Sequence, residues 1–148
     1  MITIDQIRQL REETAVSISD CKKALEKAGG DFKKAKEILK KMGKDLAGKR
    51  TGRETYQGII ESYIHPNKKI GVLLELNCET DFVAKSPAFR GLAHELCLQI
   101  AAIRDGEIPI LEQLWIKDQN RTVKDLIDEY IAKTGENITI KRFERYEI

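Results

Sequence analysis

The spacing of apolar residues changes near residue 55, and this change constrains the fold more than any other feature. In the first 43 residues, apolar side chains recur every three or four positions, which places them on one face of a helix. From residue 70 to residue 77 the chain alternates as a strand does, with Ile70, Val72, Leu74 and Leu76 on one side. The sequence therefore predicts an α+β protein whose N-terminal part is helical.

Residues 1–43 are predicted to form three short helices. Thr3 with Gln6, and Ser17 with Asp20, have the spacing of helix N-caps, and Asp31 can cap a third helix. The pair Gly29-Gly30 closes the second helix, and we expect the third to end at Gly43. Such a small core suits a docking module better than an active-site cleft. The apolar stripes are Ile4, Ile7 and Leu10; Ile18, Cys21, Ala24, Leu25 and Ala28; and Phe32, Ala35, Ile38, Leu39 and Met42.

A linker and an α+β core domain are predicted to follow. Residues 44–55 are polar and basic and contain two glycines, which is typical of a linker, either helical or frayed. The core domain, residues 56–148, is predicted to be a three-stranded antiparallel sheet packed with helices. Such a sheet leaves two open edges. The expected elements are strands at 58–64 and 69–77 joined by a turn at 65–68, a helix at 87–104, an irregular segment at 105–120, a helix ending at Gly135, and a strand at 137–148.

Composition favours a reduced, cytoplasmic location. The chain is 41% hydrophobic and 34% charged, and no apolar run approaches the roughly 20 residues of a membrane span. Its first residues lack the pattern of a secretory signal. The cysteines at positions 21, 78 and 97 are odd in number and form no C-x-x-C pair, which favours free thiols.

The charge distribution is uneven. Residues 1–53 contain 14 Lys and Arg against 8 Asp and Glu, and residues 54–148 contain 12 against 16. The basic segment, residues 1–53, suits binding to either an acidic protein surface or nucleic acid. A solvated helical surface is an equally good explanation of its positive charge. Nucleic-acid binding is the weaker interpretation. Aromatic residues make up only 6% of the chain, and none lies within the basic stretch from Lys40 to Arg50.

Sequence signatures of catalysis are absent. There is no P-loop, no G-x-S-x-G and no H-E-x-x-H. His94 with Cys97 supplies two zinc ligands at most, and Glu79 with Asp81 falls short of a calcium or magnesium cage. We therefore predict no metal, no cofactor and no enzymatic activity.

The segment from Asn77 to Lys85 contains the most informative polar-aromatic pair. Asp81 and Phe82 are predicted to lie on a short loop, between a strand and a helix that begins at Ser86-Pro87. A lone Phe at such a place more often plugs the core. The alternative is that the loop presents it to a partner.

Three separated motifs, in the same order, resemble the translation elongation factor Ts family. They are Leu10-Arg11-Glu12 with Asp20 to Leu25, Asn77 to Ala84, and Ile131 to Ile138. The resemblance implies a ubiquitin-associated-like fold for the N-terminal module. It also implies a guanine-nucleotide exchange factor for the GTPase elongation factor Tu. The two other interpretations are a basic RNA- or ribosome-binding accessory protein without exchange activity, and a docking module with no effect on exchange.

The resemblance also implies which residues contact the partner. The loop that would intrude near the partner's magnesium and phosphate site comprises Thr80, Asp81, Phe82 and Val83. The module would dock through Arg11, Ile18, Ser19 and Lys22, although Ile18 also fits the inner stripe of its helix. The remaining contacts would be His65, Thr134 and Gly135, although Gly135 is equally a helix C-cap.

The chain resembles short members of that family, with one core half where longer members have two. This implies a homodimer whose sheet edges pair and whose two copies bind two partner molecules. The segment Phe143-Glu144-Arg145 contains no cysteine that could link the copies covalently.

Overall fold

The N-terminal helices pack around a small core of their own. The structure is a computed structural model that describes residues 1–104 and 106–148. Its first helices are α1 (Ile4–Thr14), α2 (Ile18–Lys27) and α3 (Phe32–Arg50). The side chains of Thr3, Ser17 and Asp31 cap them as predicted. The buried residues of this core are Ile7, Leu10, Cys21, Ala24, Leu25, Ala35 and Leu39.

The predicted end of the third helix at Gly43 is wrong, because α3 continues to Arg50. Gly43 is buried, and a β-carbon at that position would lie 3.1 Å from the Ala132 β-carbon. The missing side chain thus allows another helix to pack closely against α3. Ala47 is buried in a second, larger core, which also contains the sheet described below. Much of the segment predicted as a linker is therefore helical, and the division into domains stays a prediction.

A three-stranded antiparallel sheet forms the second part. It consists of β1 (Gln57–Ile64), β2 (Ile70–Cys78) and β5 (Thr139–Glu147), and β2 lies between the other two strands. The turn predicted at residues 65–68 is confirmed: Lys68 has a φ of +62°, and the His65 amide donates to the Ile70 carbonyl at 2.9 Å. The ladder between β2 and β5 shifts register between Glu75 and Leu76. Two further strands, β3 (Leu114–Trp115) and β4 (Asp118–Thr122), form a separate pair.

Helices cover one face of this sheet. They are α4 (Asp81–Ala84) and α5 (Pro87–Ala102), and α6 (Val123–Thr134) packs against α5 and α3. As predicted, α5 begins after a Ser86 cap and has proline in its first turn. Its buried side chains meet those of β2 in the larger core, where Phe89, Leu92, Leu96, Leu74 and Leu76 have no exposed surface. The α+β class and the sheet packed with helices are confirmed.

The opposite face of the sheet carries exposed apolar side chains. Ile60 and Ile64 of β1, Leu73 of β2 and Tyr146 of β5 are between 52% and 74% exposed. The register places them on the side away from Val72, Leu74 and Leu76. This surface, Ile60, Ile64, Leu73 and Tyr146, is called the open sheet face below.

The segment predicted to be irregular contains a small hairpin. β3 pairs with β4, preceded by a 3₁₀ turn over Ile110–Glu112, whereas Asp105 lies outside the described residues. The buried Gln99 side chain of α5 holds the hairpin: its Nε2 donates to the Leu114 carbonyl at 3.0 Å, and its Oε1 accepts from the Ile116 amide at 2.9 Å. A tertiary contact therefore orders a stretch that lacks apolar alternation.

Candidate functional site

The Asp81-Phe82 segment is a single helical turn rather than the predicted loop. Thr80 is its N-cap, and the Thr80 hydroxyl accepts a hydrogen bond from the Val83 amide at 3.2 Å. Val83 and Ala84 are buried in the larger core, at 6% and 2% exposed. The inner side of the turn is thus anchored in the protein, and Val83 is placed where it fixes the turn instead of facing outward.

Phe82 points away from the protein. It is 86% exposed, more than any other phenylalanine of the chain, so the core-packing interpretation is wrong. Asp81 lies beside it, with a side chain that is 61% exposed and an ion pair to Lys85 at 2.9 Å. An exposed pair of this kind contributes little to stability. The turn therefore presents an aromatic ring and a carboxylate on a fixed backbone.

Glu136 binds the start of this turn. Its Oε1 accepts from the Glu79 and Thr80 amides, at 3.1 and 2.9 Å, and its Oε2 accepts from the Thr80 hydroxyl at 2.6 Å. The hydroxyl proton is committed to Glu136, so the hydroxyl lone pairs remain for the Val83 amide. One carboxylate therefore fixes both the backbone and the cap of the turn.

A second carboxylate contact runs in the opposite direction. The Oε1 of Glu79 accepts from the Asn137 amide at 2.8 Å, and its Oε2 lies 3.4 Å from the Arg53 guanidinium. The Asn137 side chain is buried and donates to the Arg53 carbonyl at 2.8 Å. We call Glu79, Glu136 and Asn137 the carboxylate clasp. Glu136 and Asn137 were not predicted as site residues, although a Glu and an Asn directly after a glycine C-cap are a usable signal.

Thr134 and Gly135, both predicted contacts, lie beside this clasp. The Thr134 hydroxyl donates to the Tyr130 carbonyl at 2.9 Å and accepts from the Glu136 amide. Gly135 has a φ of +74° and ends α6, which is the expected C-cap. Its carbonyl accepts from Arg50 Nε at 3.2 Å, at the end of α3. The structure thus brings Asp81-Phe82 and Thr134-Gly135 together.

The predicted residues of the N-terminal module lie around the turn between α1 and α2. Arg11 is in the last turn of α1, and Ile18, Ser19 and Lys22 are in the first half of α2. All four are exposed. Ile18 is 52% exposed, so it does not belong to the inner stripe of its helix. Ile4, at 69% exposed, is also outside the core.

His65 is far from the Phe82 turn along the sheet. It follows β1 at the hairpin end, whereas the turn follows β2 at the end where Gln57 pairs with Cys78. Its Nδ1 lies 3.0 Å from the Tyr63 hydroxyl. His65 also lines a cavity of about 430 Å³ that contains Arg145 and Glu147. The structure therefore does not join His65 to the other predicted core residues.

The Cys78 thiol, which donates to the Thr80 carbonyl at the start of the turn, stays protonated at neutral pH. Burial and the nearby Glu136 carboxylate raise the pKa of the Cys78 thiol to about 11. Within the described residues, no group of three or more His, Cys, Asp or Glu side chains could hold a metal ion. None of the described helices is long and apolar enough to cross a membrane. The exposed groups at this site include an aromatic ring and a carboxylate, which suit contact with another surface.

Comparison with known proteins identifies the family. The sequence model described as Elongation factor TS matches residues 79–148. Elongation factor Ts of Thermotoga petrophila is 44% identical over 99% of this chain and 96% of its own length. The protein of that name from Carboxydothermus hydrogenoformans is 39% identical over 100% of this chain and 89% of its own.

The proteins from Thermotoga are longer. Their aligned span of 191 positions exceeds the 148 residues of this chain, so they carry residues that it lacks. The relative from Anaeromyxobacter sp. is 38% identical over 98% of this chain. Identity at this level over nearly the whole chain establishes common descent. The chain therefore belongs to the elongation factor Ts family, and its role is in translation elongation.

Proposed function

We propose that this protein is a guanine-nucleotide exchange factor for elongation factor Tu, acting in the cytoplasm through the Phe82 turn. The observation that carries the proposal is the exposure of Phe82, at 86%, on a helical turn whose other side is buried. A large apolar ring held in water contributes nothing to folding. It is suited to enter a pocket on a partner.

The ring can act as a wedge. Burying a Phe side chain contributes about 1.5–3 kcal/mol, and a thousandfold faster release of nucleotide requires about 4 kcal/mol off the barrier. The remainder would come from weaker coordination of the partner's magnesium ion once the partner's helices shift. Asp81, beside the ring, adds a carboxylate near that ion. No covalent step is needed, so the activity is that of a binding protein.

Linkage makes the effect reciprocal. If the factor weakens nucleotide binding by some ratio, bound nucleotide must weaken binding of the factor by the same ratio. GDP and the factor then displace each other from the GTPase, which is what a recycling step in elongation requires.

The other predicted residues would extend the interface. The basic module would dock through Arg11, Ile18, Ser19 and Lys22, all of them exposed. Thr134 and Gly135 would provide a further contact directly beside the Phe82 turn. His65, at the far end of the sheet, would reach the same partner molecule only across the length of the strands, or else contact a second one.

The open sheet face supports a homodimer in which two copies bind two partner molecules. Ile60, Leu73 and Tyr146 form an apolar surface that a second copy can cover, which favours face-to-face contact over the pairing of sheet edges. Sedimentation equilibrium should give a dimer for the wild type and a monomer for Leu73→Lys. The control, Leu111→Lys, changes an exposed leucine of the 3₁₀ turn and should remain dimeric. A wild type that stays monomeric at high concentration would rule out the dimer.

The exchange proposal is tested by release of fluorescent GDP from elongation factor Tu. The wild type should accelerate release, Phe82→Ala should lose most of the acceleration, and Asp81→Ala should lose part of it. Leu111→Ala, which removes an exposed leucine of the 3₁₀ turn, should be as active as the wild type. If the wild type does not accelerate release, the proposed function is wrong. If Phe82→Ala is fully active, only the wedge is wrong.

The basic module gives the rival interpretation its test. A basic RNA- or ribosome-binding protein would bind RNA with a steep dependence on salt. We expect weak binding at physiological salt, because the aromatic residue of the basic helices, Phe32, is half-buried against the N-terminal core and is not free to stack on bases.

A further inference from the structure

The carboxylate clasp joins two parts of the chain that are distant in sequence and adjacent in space. Glu79 and Glu136 are separated by 57 positions, and each accepts a backbone amide of the segment that contains the other. The Phe82 turn and the α6–β5 junction are therefore bound to each other twice, in opposite directions. Hydrogen bonds to a charged acceptor are about twice as strong as neutral ones.

The clasp controls the direction of Phe82. A turn of four residues, Asp81–Ala84, is too short to hold its shape through its own hydrogen bonds. Its stability comes from the Val83 and Ala84 anchors on one side and from Glu136 at its cap. Without Glu136, the Glu79 and Thr80 amides would lose their acceptor, and the Thr80 hydroxyl would be free to rotate.

We infer that Glu136 is a positioning residue for nucleotide exchange: it fixes the Phe82 turn at one orientation relative to Thr134-Gly135, so that both reach the partner together. This inference rests on the proposed function. Glu136 acts through Phe82. It restricts the movement of the turn before binding, so that less conformational entropy is lost when the ring binds. A misplacement of a positioned group by about 1 Å can reduce a rate by about a hundredfold.

The first test examines the clasp without the partner. In Glu136→Ala, backbone hydrogen exchange at Thr80 and Val83 should become at least about tenfold faster, since their acceptor or cap is lost. Exchange at Leu74, in the centre of the sheet, should not change. Glu136→Gln keeps one oxygen and should fall between wild type and Glu136→Ala. The control Glu112→Ala removes an exposed glutamate elsewhere and should leave Thr80 and Val83 unchanged.

The second test examines exchange activity. Glu136→Ala should lower the maximal rate of GDP release by about tenfold to a hundredfold. The same change in a Phe82→Ala background should add less than about twofold, because residues that act as one unit are not additive. A purely structural role would instead lower activity by the same factor in both backgrounds.

The outcomes separate the two proposals. Unchanged exchange at Thr80 and Val83 in both Glu136 variants would overturn the inference, as would full additivity with Phe82→Ala. In either case a wild type that accelerates GDP release leaves the proposed function standing. A wild type that does not accelerate release would overturn both proposals.

Discussion

Gly43 of α3 lies against Ala132 of α6, so close that a β-carbon on Gly43 would sit 3.1 Å from that of Ala132. This contact joins the helical module to the sheet-containing part through helix packing. The Lys44 ammonium adds an ion pair to Asp125 at 2.9 Å. α3 contributes Leu39 to the small N-terminal core and Ala47 to the larger core, so the two parts share one continuous helix.

Substitution of Gly43 should destabilise the protein. Leucine gains about 0.8 kcal/mol in helix propensity over glycine, but overpacking against Ala132 costs about 1–3 kcal/mol. Gly48→Leu is the matched control on the same helix, since nothing lies within 4 Å of a β-carbon there. In urea unfolding, Gly43→Leu should lower the midpoint and Gly48→Leu should raise it. A raised midpoint for both would refute the close contact.

Gln99→Leu should release the β3–β4 hairpin. The Leu114 carbonyl and the Ile116 amide would lose their partner, at a cost of about 1–3 kcal/mol. Trp115, the only tryptophan, lies on that hairpin and reports on it. We expect acrylamide to quench Trp115 fluorescence more strongly in Gln99→Leu than in the wild type. Unchanged quenching with unchanged stability would contradict the role of Gln99.

Asp125 should make stability depend on pH below about pH 4. Burial raises the pKa of its carboxyl, but the Thr122 amide and hydroxyl and the Lys44 ammonium together outweigh burial and leave that pKa below its usual value. A lowered folded-state pKa stabilises the protein above the unfolded pKa, and this stabilisation is lost as pH falls through the folded value.

Asp125→Asn should therefore be less stable than wild type at pH 6, and the difference should shrink toward pH 2. Urea midpoints across this range measure it. Lys44→Met should move the pKa of Asp125 back toward its usual value. A difference that is independent of pH would show that Asp125 acts through its shape alone.

The cysteines should resist alkylation in the folded protein. All three are buried and free, and burial raises the pKa of Cys97 to about 12. At pH 8 the buried sulfur atoms are protonated and shielded, and the thiolate is the reactive form. Iodoacetamide followed by mass spectrometry should label them only in denaturant. Rapid labelling of Cys97 in the native state would show that α5 opens.

Phe82→Ala should change stability by less than about 0.5 kcal/mol, because the exposed ring buries little surface in the folded protein. Phe89, seven positions later, has no exposed surface, and Phe89→Ala should cost about 3–5 kcal/mol. Thermal unfolding of both variants checks this contrast. A large loss of stability for Phe82→Ala would mean that the ring packs against the protein.

The sequence predicts most helices and strands because their caps and apolar spacing are local. Thr3, Ser17, Asp31 and Ser86 each cap a helix where expected. The end of α3 could not be predicted, because glycine normally ends a helix and only the approach of Ala132 gives Gly43 another use.

The site was predictable in position and less so in shape. The helical turn at the site could not be recognised from the sequence, because four residues are too few to show a helical repeat of apolar side chains. The same is true of strand β4, outside the site, whose polar residues show no alternation with apolar ones. Thr80 followed by Val83 was the available signal for the turn. The exposure of Phe82 could not be derived from spacing, because a single aromatic residue after a strand has no partner in sequence to indicate its direction.

The contrast between Phe82 and Phe89 has a consequence for how sequence change is tolerated. A library of variants selected only for folding would retain Phe89 and accept nearly any polar residue at position 82. If Phe82 contacts a partner as proposed, selection for growth would retain both. The substitutions found at position 82 across related genomes would then follow the surface of that partner rather than the packing of this chain.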